Sequence, residues 1–436
     1  MVLDRSNLLA SLNEDVFDHI LEGLRVRDLS SLSSTCTWLR EACMPFVFNY
    51  VHICVREPIQ IEHAPFFLPA SAKPYVRSLA LLDECWDQQC GGRPRPKYLY
   101  TDDFLLCGAY PGAALAERLQ ELPRCRSVKM HKNNDLKHGL SWDTLLSVLS
   151  VPHLRKFELR FQCFCPALRP GEELSVDSLA PLTAFRYKME YPRDIWFFPS
   201  EVAALEAVLG KLCDTLEELV LPSEPAPMST LATLSWPRLR EFVVRGSPST
   251  WGALPAPLVL LFSAMRGLRA ISFKINPLDN ALPPAVWPRG FVHSFPWPEL
   301  ERLMVSYPDP SDELWDHLPP TLRALSLRCW PHVSSQRRFA FLGRMHPPRF
   351  GLVPTSSDLL SILRHCEALS LDHLEIEYRV DDEDEALLRY VVTTFPHLTS
   401  LAVLRYRRNP PIPEECGPCI RRHSLRLLDS VVSNCT

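Results

Sequence analysis

The stretch Pro320-Thr321-Leu322-Arg323-Ala324-Leu325-Ser326-Leu327 carries the pattern on which most of the chain is built. Leu325 and Leu327 alternate with Ala324 and Ser326, the period of a short strand with one buried face. Leu322 leads the strand by three residues. Pro320 stands ahead of it, where proline ends a helix and opens an extended segment without removing a ladder hydrogen bond. The same frame, Leu-x-x-apolar-x-apolar, returns from Leu154, Leu182, Leu216, Leu239, Leu268, Leu300, Leu371 and Leu398. Weaker copies start at Val76 and Cys125, and Pro123, Pro152, Pro237, Pro298 and Pro396 each stand two residues ahead of a copy.

From Leu154 onward the copies start 28, 34, 23, 29, 32, 22, 49 and 27 residues apart. Most of these bracket the roughly 20 to 29 residues of a leucine-rich repeat, with one clear insertion. Helical segments are expected in the gaps, at 200–213, 311–318, 356–366 and 384–395, several with serine at the cap. Units that bury their apolar edges only against neighbours stack into a solenoid. The expected fold class is therefore α/β, a curved leucine-rich-repeat-like solenoid with parallel concave strands and outer helices. The Asn or Cys ladder position is mostly missing, so the repeats are degenerate. A doubly wound parallel sheet is the competing fold, without its usual Gly-rich first turn.

Composition narrows the classes of function. The 436 residues hold 47 basic and 51 acidic side chains, which excludes a broadly basic nucleic-acid binder as the default. Proline, at 41, is near twice its usual share of about 5%, while glycine, at 15, is about half of its usual 7%. That imbalance disfavours Gly-rich phosphate loops. Asp4, Arg5, Glu14 and Asp15 interrupt the start of the chain, so no signal peptide is expected there. The longest uncharged stretch, Gly246 to Met265, is broken by prolines and is densely apolar only over Leu258 to Met265, too short to span a membrane. Fifteen scattered cysteines suit reduced thiols, hence cytoplasm or nucleus.

The first fifty residues follow a different rhythm. Leu12, Val16, Phe17, Ile20, Leu21 and Leu24 recur at spacings of three and four, an apolar stripe on one helix. Asn13 is placed to cap it, with Glu14 and Asp15 where the helix dipole favours acids. Asp28 suits the cap of a second helix bearing Leu29 and Leu32. Thr35 or Thr37 suits the start of a third, with Trp38, Leu39 and Ala42, which Pro45 should stop. A unit of about 40 residues does not close a core alone, so part of this apolar face needs a cover, from another protein or from the rest of the chain.

Leu12-Asn13-Glu14-Asp15-Val16-Phe17-Asp18-His19-Ile20-Leu21, then Asp28-Leu29-Ser30-Ser31-Leu32, then Cys36-Thr37-Trp38-Leu39-Arg40, resembles the F-box motif. It is similar in particular to that of fungal F-box proteins with leucine-rich-like repeats. The resemblance implies a substrate receptor of SCF ubiquitin ligases, whose F-box docks on the Skp adaptor and, through it, on the cullin scaffold. Carried over by position, the adaptor surface would comprise Leu12, Ile20, Leu21, Leu24, Leu29, Leu32, Trp38 and Leu39. The family usually has proline after the first leucine; here that place is Asn13. The implied layout is an F-box at 8–48, a linker and N-terminal cap or first repeat at 49–120, degenerate repeats at 121–409 with an insertion at about 329–357, and a C-terminal cap or tail at 410–436. A three-helix cap on a repeat array is the plainer reading of the same opening.

Catalytic chemistry is sparse. Cys416-Gly417-Pro418-Cys419 matches a thiol-redox tetrapeptide, but it follows Pro410, Pro411 and Pro413 with no sheet after it, so a turn is the plainer account. His423 completes a Cys-x-x-Cys-x-x-x-His run without a fourth zinc ligand in reach. Cys163 with Cys165, and Cys85 with Cys90, could ligate metal in principle, and strand alternation makes the first pair ordinary same-face thiols. No nucleophile triad, carboxylate pair or phosphate loop stands out, and no cofactor or metal is expected. Between His317 and Ser357 lie six arginines and no acid; among them Arg337, Arg338 and Arg344 are candidates for target contact. The run Asp381-Asp382-Glu383-Asp384-Glu385 follows, read as a solvated helix start. Lys274 is the last lysine, and the F-box segment has none. The sequence thus points to a non-catalytic receptor for a protein target, with a scaffold lacking ubiquitin transfer, or a thiol-redox protein using Cys416 and Cys419, as alternatives.

Overall fold

The computed structural model describes residues 12–56, 59, 68–84, 105–132, 139–189, 198–247, 256–276, 284–332, 350–406 and 423–425. The chain divides into two compact units, Met1–Leu182 and Thr183–Thr436. The first opens with helices α1 (Glu14–Gly23), α2 (Val26–Ser33) and α3 (Thr37–Val47). Strands β1 (Tyr50–Val55) and β2 (Ser78–Asp83) follow, then α4 (Gly112–Gln120), β3 (Ser127–Lys132), β4 (Gly139–Leu140), α5 (Trp142–Leu149), β5 (Lys156–Arg160) and β6 (Cys163–Phe164). β1, β2, β3 and β5 pair in parallel and in chain order. β4 and β6 form a separate parallel pair.

The second unit runs β7 (Ala184–Lys188), α6 (Pro199–Leu212), β8 (Glu218–Pro222), α7 (Met228–Thr233), β9 (Glu241–Gly246), α8 (Leu258–Leu261), β10 (Ala270–Ile275), β11 (Arg302–Val305) and β12 (Ala324–Leu327). It closes with α9 (Ser356–His365), β13 (His373–Arg379), α10 (Asp384–Thr394), β14 (Ser400–Tyr406) and β15 (His423–Leu425). β7 to β14 pair in parallel, again in chain order, and β15 adds antiparallel to β14. Sequential parallel strands, one per repeat, make a leucine-rich-repeat-like array rather than a doubly wound sheet, whose strand order reverses. All eleven copies of the frame are strands, including the weak ones at β2 and β3.

In most strands the two apolar positions of the frame are buried, whereas Leu401 and Val403 of β14 are half-buried. Val128 and Met130, Phe157 and Leu159, Phe242 and Val244, and Leu325 and Leu327 are each at most 1% exposed. A fully buried side chain of this size contributes about 1.5 to 3 kcal/mol, so two per strand supply most of the cohesion between repeats. The prolines ahead of the frame sit in turns whose last residue is the lead position: Leu154 N–H donates to Val151 O, Leu300 to Trp297 O and Leu398 to Phe395 O, at 2.9 to 3.2 Å. Proline suits the second place of such a turn because its φ is already set.

Several local expectations need correction. β1 lies within 49–120, the segment expected to hold a linker and an N-terminal cap or first repeat, and its apolar residues Val51, Ile53 and Val55 alternate as a strand should. Between β8 and β12 the connections are not long helices: α7 has 6 residues, α8 has 4, and 311–318 holds only a 3-10 turn, Glu313–Asp316. Buried indoles fill that layer instead. Trp236, Trp287, Trp297 and Trp315 are at most 2% exposed, and each ring N–H donates to a backbone carbonyl. Ser200 and Ser356 lie inside their helices rather than capping them. α9 is capped by Thr355, whose hydroxyl accepts from Asp358 N while Asp358 accepts from Thr355 N, a reciprocal box. No described helix is long and apolar enough to cross a membrane.

The indole-rich layer is held by one carboxylate. Asp312, 7% exposed, accepts from the backbone N–H of Val286, Trp287 and Leu314 at 2.7 to 3.0 Å. Burial pushes its pKa up against the pull of those three donors. Asp312→Ala leaves three buried donors without their acceptor and is expected to destabilise the protein by about 3 kcal/mol, read as an earlier midpoint in urea. An unchanged midpoint would show that another acceptor serves them.

Candidate functional site

The three N-terminal helices separate one apolar stripe into an inner and an outer part. Phe17 and Leu21, one turn apart on α1, turn inward with Leu29, Leu39 and Cys43, all at most 8% exposed. Leu32, Ala42, Phe46 and Val47 pack around them, partly buried. Leu12, Val16, Ile20 and Leu24 recur every four residues and remain 39%, 50%, 45% and 36% exposed. Val26 and Trp38 are exposed as well. Among the described residues ten large hydrophobic side chains are exposed, and six of them fall between Leu12 and Trp38. That concentration within 27 residues is what distinguishes an uncovered face from the scattered apolar atoms of any surface.

Local chemistry explains the frame. Asn13 caps α1, its side-chain oxygen accepting from Asp15 N at 2.9 Å. Its φ of −57° is one that proline also adopts, so asparagine and proline serve this helix start alike. Asp28 does not cap α2; Arg25 holds that place without a side-chain bond, and Asp28 lies in the first turn. Cys36 caps α3 through its sulfur. Pro45 does not stop α3, which runs on to Val47. Only a last-turn hydrogen bond is forgone there, and Phe48 N–H still reaches Met44 O at 3.0 Å.

Trp38 lies flat on Phe17, ring centres 5.2 Å apart at 21°, shielding the core on one face and presenting the other outward. Beside it a groove of about 700 Å³ is floored by Phe17, Leu21, Leu29 and Ala42, and edged by Leu12, Leu24, Val26, Trp38, Pro45 and Phe46. Glu14, Asp18 and Glu22, one turn apart, also line it, as do Asn49 and Arg77. α1 carries four acids, Glu14, Asp15, Asp18 and Glu22, and no lysine or arginine. The site is thus greasy with an anionic margin. It can hold a complementary surface.

The proposed adaptor residues divide accordingly. Leu12, Ile20, Leu24 and Trp38 are at the surface and Leu32 is half-buried, whereas Leu21, Leu29 and Leu39 belong to the helices' own core. A stripe read from spacing alone cannot tell the two apart, because the helix is wide enough to be apolar toward both sides. Val16 and Val26 are the exposed members missing from that set; Val26 stands between Arg25 and Arg27, a place that hides it from any periodic pattern. Arg337, Arg338 and Arg344, the Cys85–Cys90 pair and the Cys416–Cys419 pair lie outside the described residues. Cys163 and Cys165 are buried, and no group of three potential metal ligands occurs among the described residues. The acidic run is not simply solvated. Asp384 accepts from Tyr378 Oη at 2.9 Å and from Arg405, and Asp381 accepts from the Ser357 hydroxyl at 2.7 Å.

No protein-family model and no curated protein matches the chain. Among solved structures, the leucine-rich repeat-containing protein LegL7 of Legionella pneumophila aligns with a TM-score of 0.35 at 12% identity, over 81% of this chain and 91% of that one. A chain of the yeast Rad7 and Elc1 complex aligns with a TM-score of 0.33 at 12% identity, over 92% and 89%. At such distances the fold stands on the strand order of this chain and not on the likeness.

Two measurements separate the inner from the outer stripe. Leu21→Ala should cost about 3 kcal/mol of stability through the cavity it leaves, and Ile20→Ala no more than about 0.5 kcal/mol, both from denaturant unfolding. Equal losses would place Ile20 in the core. Asp381 supplies a pH test. Burial raises its pKa, but the hydrogen bonds from Ser357 and from Glu383 N–H outweigh it and leave the carboxyl below its ordinary range. Its contribution is present above the unfolded pKa of about 4 and is lost as pH falls through the lower folded value. Asp381→Asn should therefore flatten the acid limb of the stability curve; an unaltered limb would remove this assignment.

Proposed function

We propose that the chain is a non-catalytic substrate receptor of an SCF-type ubiquitin ligase. Its N-terminal helices dock on the Skp adaptor and through it on the cullin, and its repeats hold a protein target. The observation that carries this reading is the uncovered apolar face of the N-terminal helices, in a segment whose residues follow the F-box order. An apolar face with an acidic margin on a soluble unit is a surface shaped to be shielded by another subunit. The repeat array supports the second half, because stacked strands offer one continuous binding face. The receptor contributes no reacting group. It raises the local concentration of target lysines near the conjugating enzyme, so its effect is one of proximity. Cytoplasm and nucleus, where that machinery acts, are the proposed locations.

Trp38→Glu combined with Ile20→Glu is the test. Both side chains are exposed, so the fold should persist by circular dichroism while co-purification with Skp falls at least about tenfold. Leu21 is unsuitable because it lies in the helices' own core, where a charge would disturb the fold as well as docking. Unchanged Skp binding by the folded double variant would reject the assignment. Skp binding without cullin in the assembly would favour a scaffold outside ubiquitin transfer.

A further inference from the structure

From the end of α1 into α2 the chain reads Arg25-Val26-Arg27-Asp28-Leu29-Ser30, with arginine three and five residues before the serine. Five pairs of arginines in the chain are separated by a single residue, and only this pair has a serine or threonine three places on. Arginines at those two distances are a charge pattern by which protein kinases select a serine, because acidic pockets grip each guanidinium. Arg25 and Arg27 are exposed, and neither makes an ion pair among the described residues.

The neighbouring hydroxyls are committed to the backbone. Ser31 Oγ donates to Arg27 O at 3.1 Å, Ser33 Oγ to Ser30 O and Ser34 Oγ to Ser31 O at 2.7 Å, and Thr35 Oγ1 to Leu32 O at 2.8 Å. Ser30 is exposed, and its hydroxyl alone in this run makes no hydrogen bond among the described residues. A kinase takes its acceptor in extended chain, so α2 has to open. It is the least secured of the three helices. Its eight residues bury only Leu29, and Arg25 at its cap makes no side-chain bond. α1 buries Phe17 and Leu21 behind the Asn13 cap, and α3 buries Leu39 and Cys43 behind Cys36. Three of the eight α2 residues are serines, which compete with the helix by bonding nearby carbonyls. Two turns held in this way open locally at little cost.

We propose that Ser30 is a phosphoryl-acceptor site for an arginine-directed protein kinase, and that the phosphoryl group uncouples the apolar docking face from the subunit that covers it. In the transfer Ser30 Oγ bonds to the γ-phosphorus of ATP, the bond from that phosphorus to the β–γ bridging oxygen breaks, ADP leaves, and the hydroxyl proton passes to the kinase's base. The ester brings about two negative charges. Val26, 61% exposed, stands one helical turn before Ser30 and lines the groove that Glu14, Asp18 and Glu22 also line. Arg27, three places before Ser30, can pair with the phosphate, so α2 re-forms around it. Net negative charge still remains beside the groove, and a subunit that covers the apolar face has to desolvate it. The acceptor site stands independently of the adaptor reading, whereas the uncoupling rests on that reading.

The experiment uses the full chain and its Ser30→Ala and Arg27→Ala variants. Each is incubated with labelled MgATP and a purified kinase selective for arginine three and five residues before its serine, and the label is located by peptide mass spectrometry. Wild type should carry the label on Ser30, S30A should lose it, and R27A should be labelled at least about tenfold more slowly. An unlabelled wild type, label on Ser31, Ser33, Ser34 or Thr35 in place of Ser30, or labelling indifferent to Arg27 would overturn the site. Retention on Skp is then compared before and after the kinase. Phosphorylated wild type should be retained at least about tenfold less than the untreated chain, and kinase-treated S30A as fully as untreated wild type. Equal retention of the phosphorylated chain would overturn the uncoupling. Failure of the untreated chain to bind Skp would reject the adaptor reading and the uncoupling with it, while the label on Ser30 still decides the site.

Discussion

Each strand of the array begins on the same hydrogen-bond arrangement, and the register of everything else follows from it. The carbonyl just before a strand accepts two successive N–H groups from the next repeat. Arg77 O takes those of Arg126 and Ser127, and Arg126 O takes those of Arg155 and Lys156. In the second unit Glu217, Arg240, Arg269, Glu301, Arg323 and Asp372 do the same in turn, with distances of 2.8 to 3.1 Å. A carbonyl has two lone pairs, so the arrangement satisfies both and sets the stagger between neighbours. Once the stagger is set, period-two alternation puts one row of side chains into the core and the other on the open face. The 49 residues between Leu322 and Leu371 therefore leave no mark on pairing: Asp372 and His373 still donate to Arg323 O.

The open face is consequently a set of registered rows, and its chemistry depends on which residues share a row. Arg245 and Lys274 are 29 positions apart in sequence and adjacent in space. At the N-terminal helices the same economy of space works on apolar groups. Two helical turns seat Phe17 and Leu21 inside, and the chain there is too short to bury Val16 and Ile20 as well. The apolar surface left over there by local packing suits docking.

Much of this was legible in the residue pattern. The eleven strands could be read because each repeats a lead position, a turn and two alternating apolar residues. Asn13 and Asp15 marked the start of α1. Misreadings cluster where tertiary packing overrides local signals. Pro45 does not end α3 because its cost in the last turn is small. The segment at 311–318 is only a 3-10 turn because Trp315, Leu314 and Asp312 are drawn into a layer of indoles that no periodicity announces. β1 was missed because its strand carries no leading leucine.

The order of the elements, their type and the greasy character of the opening helices are properties of short stretches of chain, set by periods of two and of three to four residues. Which half of an apolar stripe is inside, and which side chains share a row of the open face, depends on neighbours that are distant in sequence. Spacing along the chain carries no record of that second dimension. In the repeats it arises when the two-donor carbonyls align one repeat against the next; in the opening helices it arises when α1 packs on α2 and α3, burying Leu21 and leaving Ile20 exposed one position before it.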